Sequence, residues 1–205
     1  MNFLAHLFLS DGTPESMVGS IMPDLVRGRI SADIPSAVHE AILLHRRVDA
    51  FTDHHPFIAH SKLLLRERHG RYAGVLVDVY DDHLLSVDWR RYTTVPRETF
   101  VEYAKTTLKS HRHLMPAAMQ ASVGRMIEQD WLNAYATTAG VGVVLARMSR
   151  YLTRRFERPV DLTPAVDDLA AHHDQLLADF RAFFPQLLEQ VKWRPWQVKA
   201  LTPSA

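Results

Sequence analysis

An all-α fold is predicted by three observations. Apolar residues recur at three- and four-residue spacing along nearly the whole chain, alternating β-branched runs are scarce, and 205 residues include only 8 glycines. Punctuation then orders the elements. The opening Met1-Asn2-Phe3-Leu4-Ala5-His6-Leu7 is apolar, but it lacks a basic leader and is interrupted by His6, so it is not read as a signal peptide. Ser36 is expected to cap a helix whose buried stripe includes Val38, Ala41, Ile42, Val48 and Phe51. That helix should end before His55-Pro56, because a residue preceding proline is disfavoured in helical geometry. A further helix is expected after Pro56, and another over 72–86 after the His69-Gly70 break. Later helices are expected over 96–108, 116–129, 141–155 and 164–191, with prolines repeatedly in the first turn.

A chain of this length suits one core. We expect a helical domain over 1–191 followed by a proline-punctuated, loose tail over 192–205. Formal net charge is +1, from 24 Lys plus Arg against 23 Asp plus Glu, so no global field draws in a polyanion and nucleic acid is not an expected partner. The longest uncharged apolar stretch falls far short of the ~18–20 residues that span a bilayer, so the expected location is cytoplasmic, without a membrane partner. Cysteine is absent, which removes disulfides and thiolate chemistry and leaves carboxylates and 12 histidines as strong metal ligands. Glycine-rich phosphate loops, a dinucleotide fingerprint, a nucleophile elbow and an HExxH helix are also absent, which disfavours kinases, dehydrogenases, serine hydrolases and that class of zinc peptidase.

Two helical segments carry the chemistry. In the first, His45, Asp49 and Asp53 lie four apart, and each step advances only about 40° around a helix, so all three can face one point. Such a face suits a divalent cation, but it equally suits surface ion pairs with Arg46 and Arg47. In the second, Asp78 and Asp82 share a face amid apolar residues, beside His83. Lys and Arg are missing from 73–87, so a local ion pair cannot satisfy these acids, and a metal is the more economical explanation. Asp81 is turned about 100° from Asp82, toward solvent or a neighbouring helix. Asp24 lies between apolar residues just after Pro23 and could be a ligand or a helix cap, while His6 among apolar neighbours could be a core histidine or a ligand. Phe180, Phe183 and Phe184 form an aromatic stripe read as packing.

Together the segments around His6, Asp24-Leu25-Val26-Arg27-Gly28, His45 to Asp53 and Asp78 to Leu85 resemble the acyl carrier protein phosphodiesterase family in order and spacing. The likeness continues through Trp131 and His172-His173-Asp174 to Phe183-Phe184-Pro185. Asp81 and the extension over 193–205 depart from the family pattern. The resemblance implies a helical bundle distantly related to HD-type phosphohydrolases. It also implies hydrolysis of holo acyl carrier protein to the apo protein and 4′-phosphopantetheine, with manganese or magnesium. Carried over residue by residue, the family's motif acids and histidines fall on His6, Asp24, His45, Asp49, Asp53, Asp78, Asp82 and His83. We expect Asp49, Asp78, Asp82 and neighbouring His45 or His83 to hold the metal, Arg27 or Arg46 to grip phosphate, and His6 or a remaining acid, Asp24 or Asp53, to act on water or the departing serine oxygen. Competing readings are an HD-type phosphohydrolase acting on a nucleotide or other small phosphate ester, and a non-catalytic helical adaptor. Carrier proteins are small, acidic and helical, so an enzyme of near-neutral charge is expected to meet one through a local arginine cluster. The candidates are Arg27 and Arg29; Arg46 and Arg47; Arg66, Arg68 and Arg71; and Arg147, Arg150, Arg154, Arg155 and Arg158.

Overall fold

The computed structural model describes residues 1–26, 28, 30 and 33–195, and among them every regular element is helical, as expected. The first helix, α1 (Phe3–Phe8), is short and lies inside the molecule, with Leu4, Leu7 and Phe8 fully buried. Next, α2 (Pro14–Leu25) opens on a Thr13 cap whose hydroxyl accepts from the Ser16 N–H, with Pro14 in its first turn. Asp24 falls in its last turn, so the helix-cap alternative does not apply. Packed along α2 is α3 (Ser36–Asp53), in which Ser36 is the first helical residue and Pro35, already extended at φ −52° and ψ 143°, takes the cap position instead.

Two helices form the middle of the chain. α4 (Pro56–His69) ends at Gly70, whose φ of +51° lies in the region that favours glycine, and α5 (Ala73–Val87) crosses the interior against α1, α4, α10 and α12. The remaining elements are α6 (Trp89–Tyr92), α7 (Arg97–Ser110), α8 (Ala117–Glu128), α9 (Trp131–Ala134), α10 (Thr138–Phe156), α11 (Ala165–Ala171) and α12 (His173–Gln190).

The expected single helix over 164–191 is thus two, broken at His172. Tethers to α4 account for the break. Asp168 takes Arg68 at 2.6 Å and His69 at 2.7 Å, while Asp179 takes His60 at 2.7 Å and Ser61 at 2.9 Å. On an unbroken helix the two acids would lie roughly 16 Å apart, whereas their anchors on α4 are roughly 12 Å apart, and the break absorbs the difference.

The aromatic stripe of α12 packs as expected: Phe180, Phe183 and Phe184 are buried, and Phe184 meets Tyr92 at 4.8 Å and Phe8 at 6.0 Å between ring centroids. Past α12, Trp193 stacks on Phe8 at 4.7 Å and its indole N–H donates to the Phe8 carbonyl at 2.9 Å. Residues 196–205, the end of the expected tail, lie outside the described residues. Among the described residues no helix is long and apolar enough to cross a membrane.

One close approach sets the spacing of the helices that matter most. A Cβ at Gly19 of α2 would stand 2.5 Å from the Val38 carbonyl oxygen and 2.6 Å from the Ala41 Cβ, so α3 can lie against α2 only because the side chain is missing. Gly19→Ala is therefore expected to destabilise the fold by roughly 1–3 kcal/mol, read as a lower urea midpoint at unchanged slope, since the clash is with backbone and not with a flexible side-chain end.

Candidate metal centre

The centre forms where α1, α2, α3 and α5 converge. Asp49 is its hub. His45, one turn earlier on α3, places Nε2 3.0 Å from Asp49 Oδ2, and His6 on α1 places Nε2 3.2 Å from Asp49 Oδ1. The two imidazole rings stack at 3.9 Å between centroids with 20° between planes. His45 Nδ1 donates to the Ser20 carbonyl at 2.7 Å, which orients the ring so that Nε2 faces the cluster, where its lone pair is free for a metal when the ring is neutral. Asp24 adds a carboxylate 3.7 Å from His45 Nε2. Asp78 on α5 lies on the far side, 2.9 Å from the Met1 ammonium, which is also 3.8 Å from Asp49, so carboxylates from α3 and α5 already gather about one positive charge.

Electrostatics sharpen the picture. Burial pushes the His6 imidazole down to about 4, only partly opposed by Asp49, so it stays neutral at physiological pH. Burial works the same way on His45, but the contact with Asp49 and the charge of Asp24 outweigh it, and its pKa ends raised. For Asp49 burial acts upward, yet His45 and His6 hold the carboxyl well below the usual range. Asp24 is pushed up to about 6 by burial and by Asp49, with His45 opposing.

His6, His45 and Asp49 each offer a ligand atom within 4.8 Å of the others, a group that could hold a metal ion. A test of fit comes from His6 Nε2. It is fully buried, and its approach to Asp49 lacks hydrogen-bond geometry, so among the described residues it has no hydrogen-bond partner. A buried ring nitrogen without a partner is costly, and a cation would satisfy it together with the adjacent carboxylate. Two stacked imidazoles beside carboxylates form a nitrogen and oxygen donor set suited to a divalent first-row metal.

Other sequence candidates sit differently. Asp82 has both oxygens engaged by α1, accepting from the Leu4 N–H at 2.7 Å and the Ala5 N–H at 3.1 Å. Burial pushes this carboxyl up to about 7 in spite of those donors. Asp82, expected as a ligand, meets the backbone of α1 because its helix face turns it under the first turn of that helix. His83 directs Nδ1 to the Tyr135 carbonyl at 2.8 Å, and burial lowers its pKa. No contact among the described residues links it to the cluster. Asp53, two turns along α3 from His45, has drifted about 80° around the helix and pairs with Lys62 at 3.0 Å on the surface. Arg46 is exposed, one position and about 100° from His45. Arg27 lies outside the described residues. Asp81 takes the neighbouring-helix alternative, not solvent: it is buried, its Oδ2 lacks a partner, and burial holds its pKa far above the usual range.

The cluster adjoins a cavity of about 470 Å³ whose wall includes Asp24 and Asp78 together with Trp131, Tyr135, Arg125 and Arg147. These last four were not read as site residues from the sequence. Trp131 belongs to the family resemblance and Arg147 to a surface cluster, but no local signal ties α8, α9 and α10 to acids as distant in the chain as Asp24 and Asp78.

Comparison with known proteins identifies the family. A relative from Photorhabdus laumondii named acyl carrier protein phosphodiesterase is 32% identical over 193 residues, covering 94% of this chain and 96% of its own. Relatives of the same name from Serratia proteamaculans (32% identity, 94% of this chain, 98% of its own) and Klebsiella pneumoniae (31%, 92%, 96%) match similarly. No solved structure matches. The family described as acyl carrier protein phosphodiesterase matches residues 1–187, a span that includes every helix contributing to the cluster, and the chain belongs to that family.

Proposed function

We propose that the protein is a metal-dependent phosphodiesterase that hydrolyses holo acyl carrier protein to the apo protein and 4′-phosphopantetheine, with manganese as its cation and magnesium as the alternative. Family membership and the names of the relatives support the reaction, and the observation that carries the metal is the unpartnered His6 Nε2 stacked beside His45 and facing Asp49. His6, His45 and Asp49 would hold the ion, with Asp24 and Asp78 at the cavity edge within reach of it. A cytoplasmic location goes with this reading, as does a distant kinship with HD-type phosphohydrolases.

A phosphodiester resists attack because its own charge repels nucleophiles. When bound, a divalent cation neutralises phosphoryl oxygen charge and acidifies water. The chain's own residues do the rest. The Ser20 carbonyl and the His6 ring hold His45 in place, and Asp82 holds α1 so that His6 faces α3. Asp24, at the cavity and with its pKa about 6, is ionised yet basic enough near neutral pH to accept a proton from water. Hydrolysis forms a bond from water oxygen to phosphorus and breaks the bond from phosphorus to the carrier's serine oxygen. The proton taken up at Asp24 returns to that oxygen.

Incubation with holo carrier protein and manganese should yield apo protein and 4′-phosphopantetheine by mass. A chelator should stop turnover, and manganese should restore it more readily than calcium, which disfavours imidazole ligands. Turnover of a nucleotide panel with the carrier left intact, or full activity after rigorous demetallation, would refute the reading.

On this reading two aspartates differ in role. Asp49→Asn should lose bound metal and lower kcat/KM by roughly 100-fold while the melting temperature barely moves. Asp82→Ala should instead destabilise the protein by about 2 kcal/mol or more, because two buried backbone N–H groups lose their acceptor.

Metal binding should also depend on pH in a stated direction. A cation requires Asp24 as carboxylate, and with a pKa of about 6 that group takes up a proton as pH falls, so protons compete with metal below that value. Manganese affinity measured by calorimetry should fall as pH is lowered through about 6, where Asp24 takes up a proton and His45, its pKa raised, is protonated as well. An Asp24→Asn variant should bind more weakly at neutral pH and show a shallower dependence, with the part due to His45 remaining.

A further inference from the structure

Along α10, Arg147, Arg150, Tyr151 and Arg154 recur at three- and four-residue spacing and so share one stripe of the helix. The stripe begins in the cavity, where Arg147 and Tyr151 form part of the same wall as Asp24 and Asp78, and runs outward for roughly 10 Å to Arg154. Arg147 lies over Trp131 with its guanidinium carbon 4.4 Å from the ring centroid. Arg125 of α8 lines the same cavity and donates to the Ser122 hydroxyl. Beyond the helix end, Arg71, Arg155 and Arg158 gather around the exposed ring of Phe156 at 5.2, 5.7 and 5.8 Å.

Among the described residues none of these guanidiniums lies within ion-pair distance of a carboxylate, whereas Arg68 and Arg181 are paired with Asp168 and Asp88. A surface kept only for solubility mixes both signs. Here the only charged side chains on the stripe from Arg147 to Arg154 are arginines, interleaved with the exposed ring of Tyr151. Like charges on one face repel, and an anionic partner relieves that repulsion.

The chemistry of cleavage chooses among the arginine clusters. The bond cut joins phosphate to the carrier's serine, so the carrier's own surface must come to the cavity mouth, and any docking surface must adjoin that mouth. The α10 stripe does. Arg47 instead lines a different cavity, beside Asp11 and Glu40, and Arg68 is occupied by Asp168. We infer that Arg147, Arg150 and Arg154, with Arg125 on the facing helix, form the docking surface for the carrier protein, which meets it with carboxylates flanking its modified serine. This rests on the phosphodiesterase reading above.

The test compares wild type with Arg150→Glu/Arg154→Glu, both side chains being exposed, and uses Arg66→Glu on α4 as a control for net charge. Substrates are holo carrier protein and the methyl phosphodiester of pantetheine, each with manganese over a range of salt. The double variant should lose roughly tenfold or more in kcat/KM on the carrier and most of its salt dependence, while the small diester stays within about twofold of wild type and Arg66→Glu is unaffected. Unchanged carrier turnover would overturn the inference, as would an equal loss on both substrates at unchanged melting temperature, or an equal loss from Arg66→Glu. If wild type cleaves neither substrate, the phosphodiesterase reading has failed, and affinity for apo carrier protein decides the docking surface separately: weaker binding by the double variant supports it, unchanged binding overturns it. Weaker binding of a single-stranded oligonucleotide with carrier affinity intact would likewise overturn it.

Discussion

The carboxylate of Asp82, buried under the first turn of α1, is the contact on which the rest of the centre depends. A helix of six residues cannot hold itself together in water, because nucleation is unfavourable and its first N–H groups have no internal partners. Asp82 supplies acceptors for two of those groups and places negative charge at the helix's positive end. The arrangement works against burial, which pushes this carboxyl up to about 7, so the surrounding apolar contacts of Leu4, Leu7 and Phe8 must hold α1 in place. His6, one residue beyond Ala5, is thereby delivered to the face of His45.

From that placement follows the charge balance of the centre. Two stacked imidazoles cannot both carry a proton cheaply, and the environment resolves this by asymmetry: His6, fully desolvated, is held neutral, while His45 lies near both Asp49 and Asp24 and is favoured as a cation. Asp49 ends as the strongest acid of the group because both histidines face it. A cluster so arranged is stable only with positive charge nearby, whether from imidazolium, ammonium or a bound metal.

Beyond the cluster, the cavity joins both signs of charge in one wall. Acids of α2 and α5 and arginines of α8 and α10 line it, with Trp131 and Tyr135 also contributing. A ligand that is anionic at one point and uncharged beyond it is matched by such a wall.

Much of this was legible in the residues themselves. Three- and four-residue periodicity identified the helices, and the i, i+4 spacing of His45 and Asp49 marked one face that could hold a metal, because helical geometry repeats locally whatever the rest of the chain does. Ordered motifs pointed to the family. What periodicity could not separate was the fate of equivalent acids on one face: Asp49 stays at the hub while Asp53 drifts to Lys62, and Asp78 opens to the cavity while Asp82 turns under α1. Nor could it raise His6 above a core histidine, since its partners lie on α3. Helix class, ligand spacing and family were thus determined by the sequence alone; which acids remain open, where His6 points and which arginines border the cavity were decided by how the helices pack, because those contacts join residues that no local rule connects.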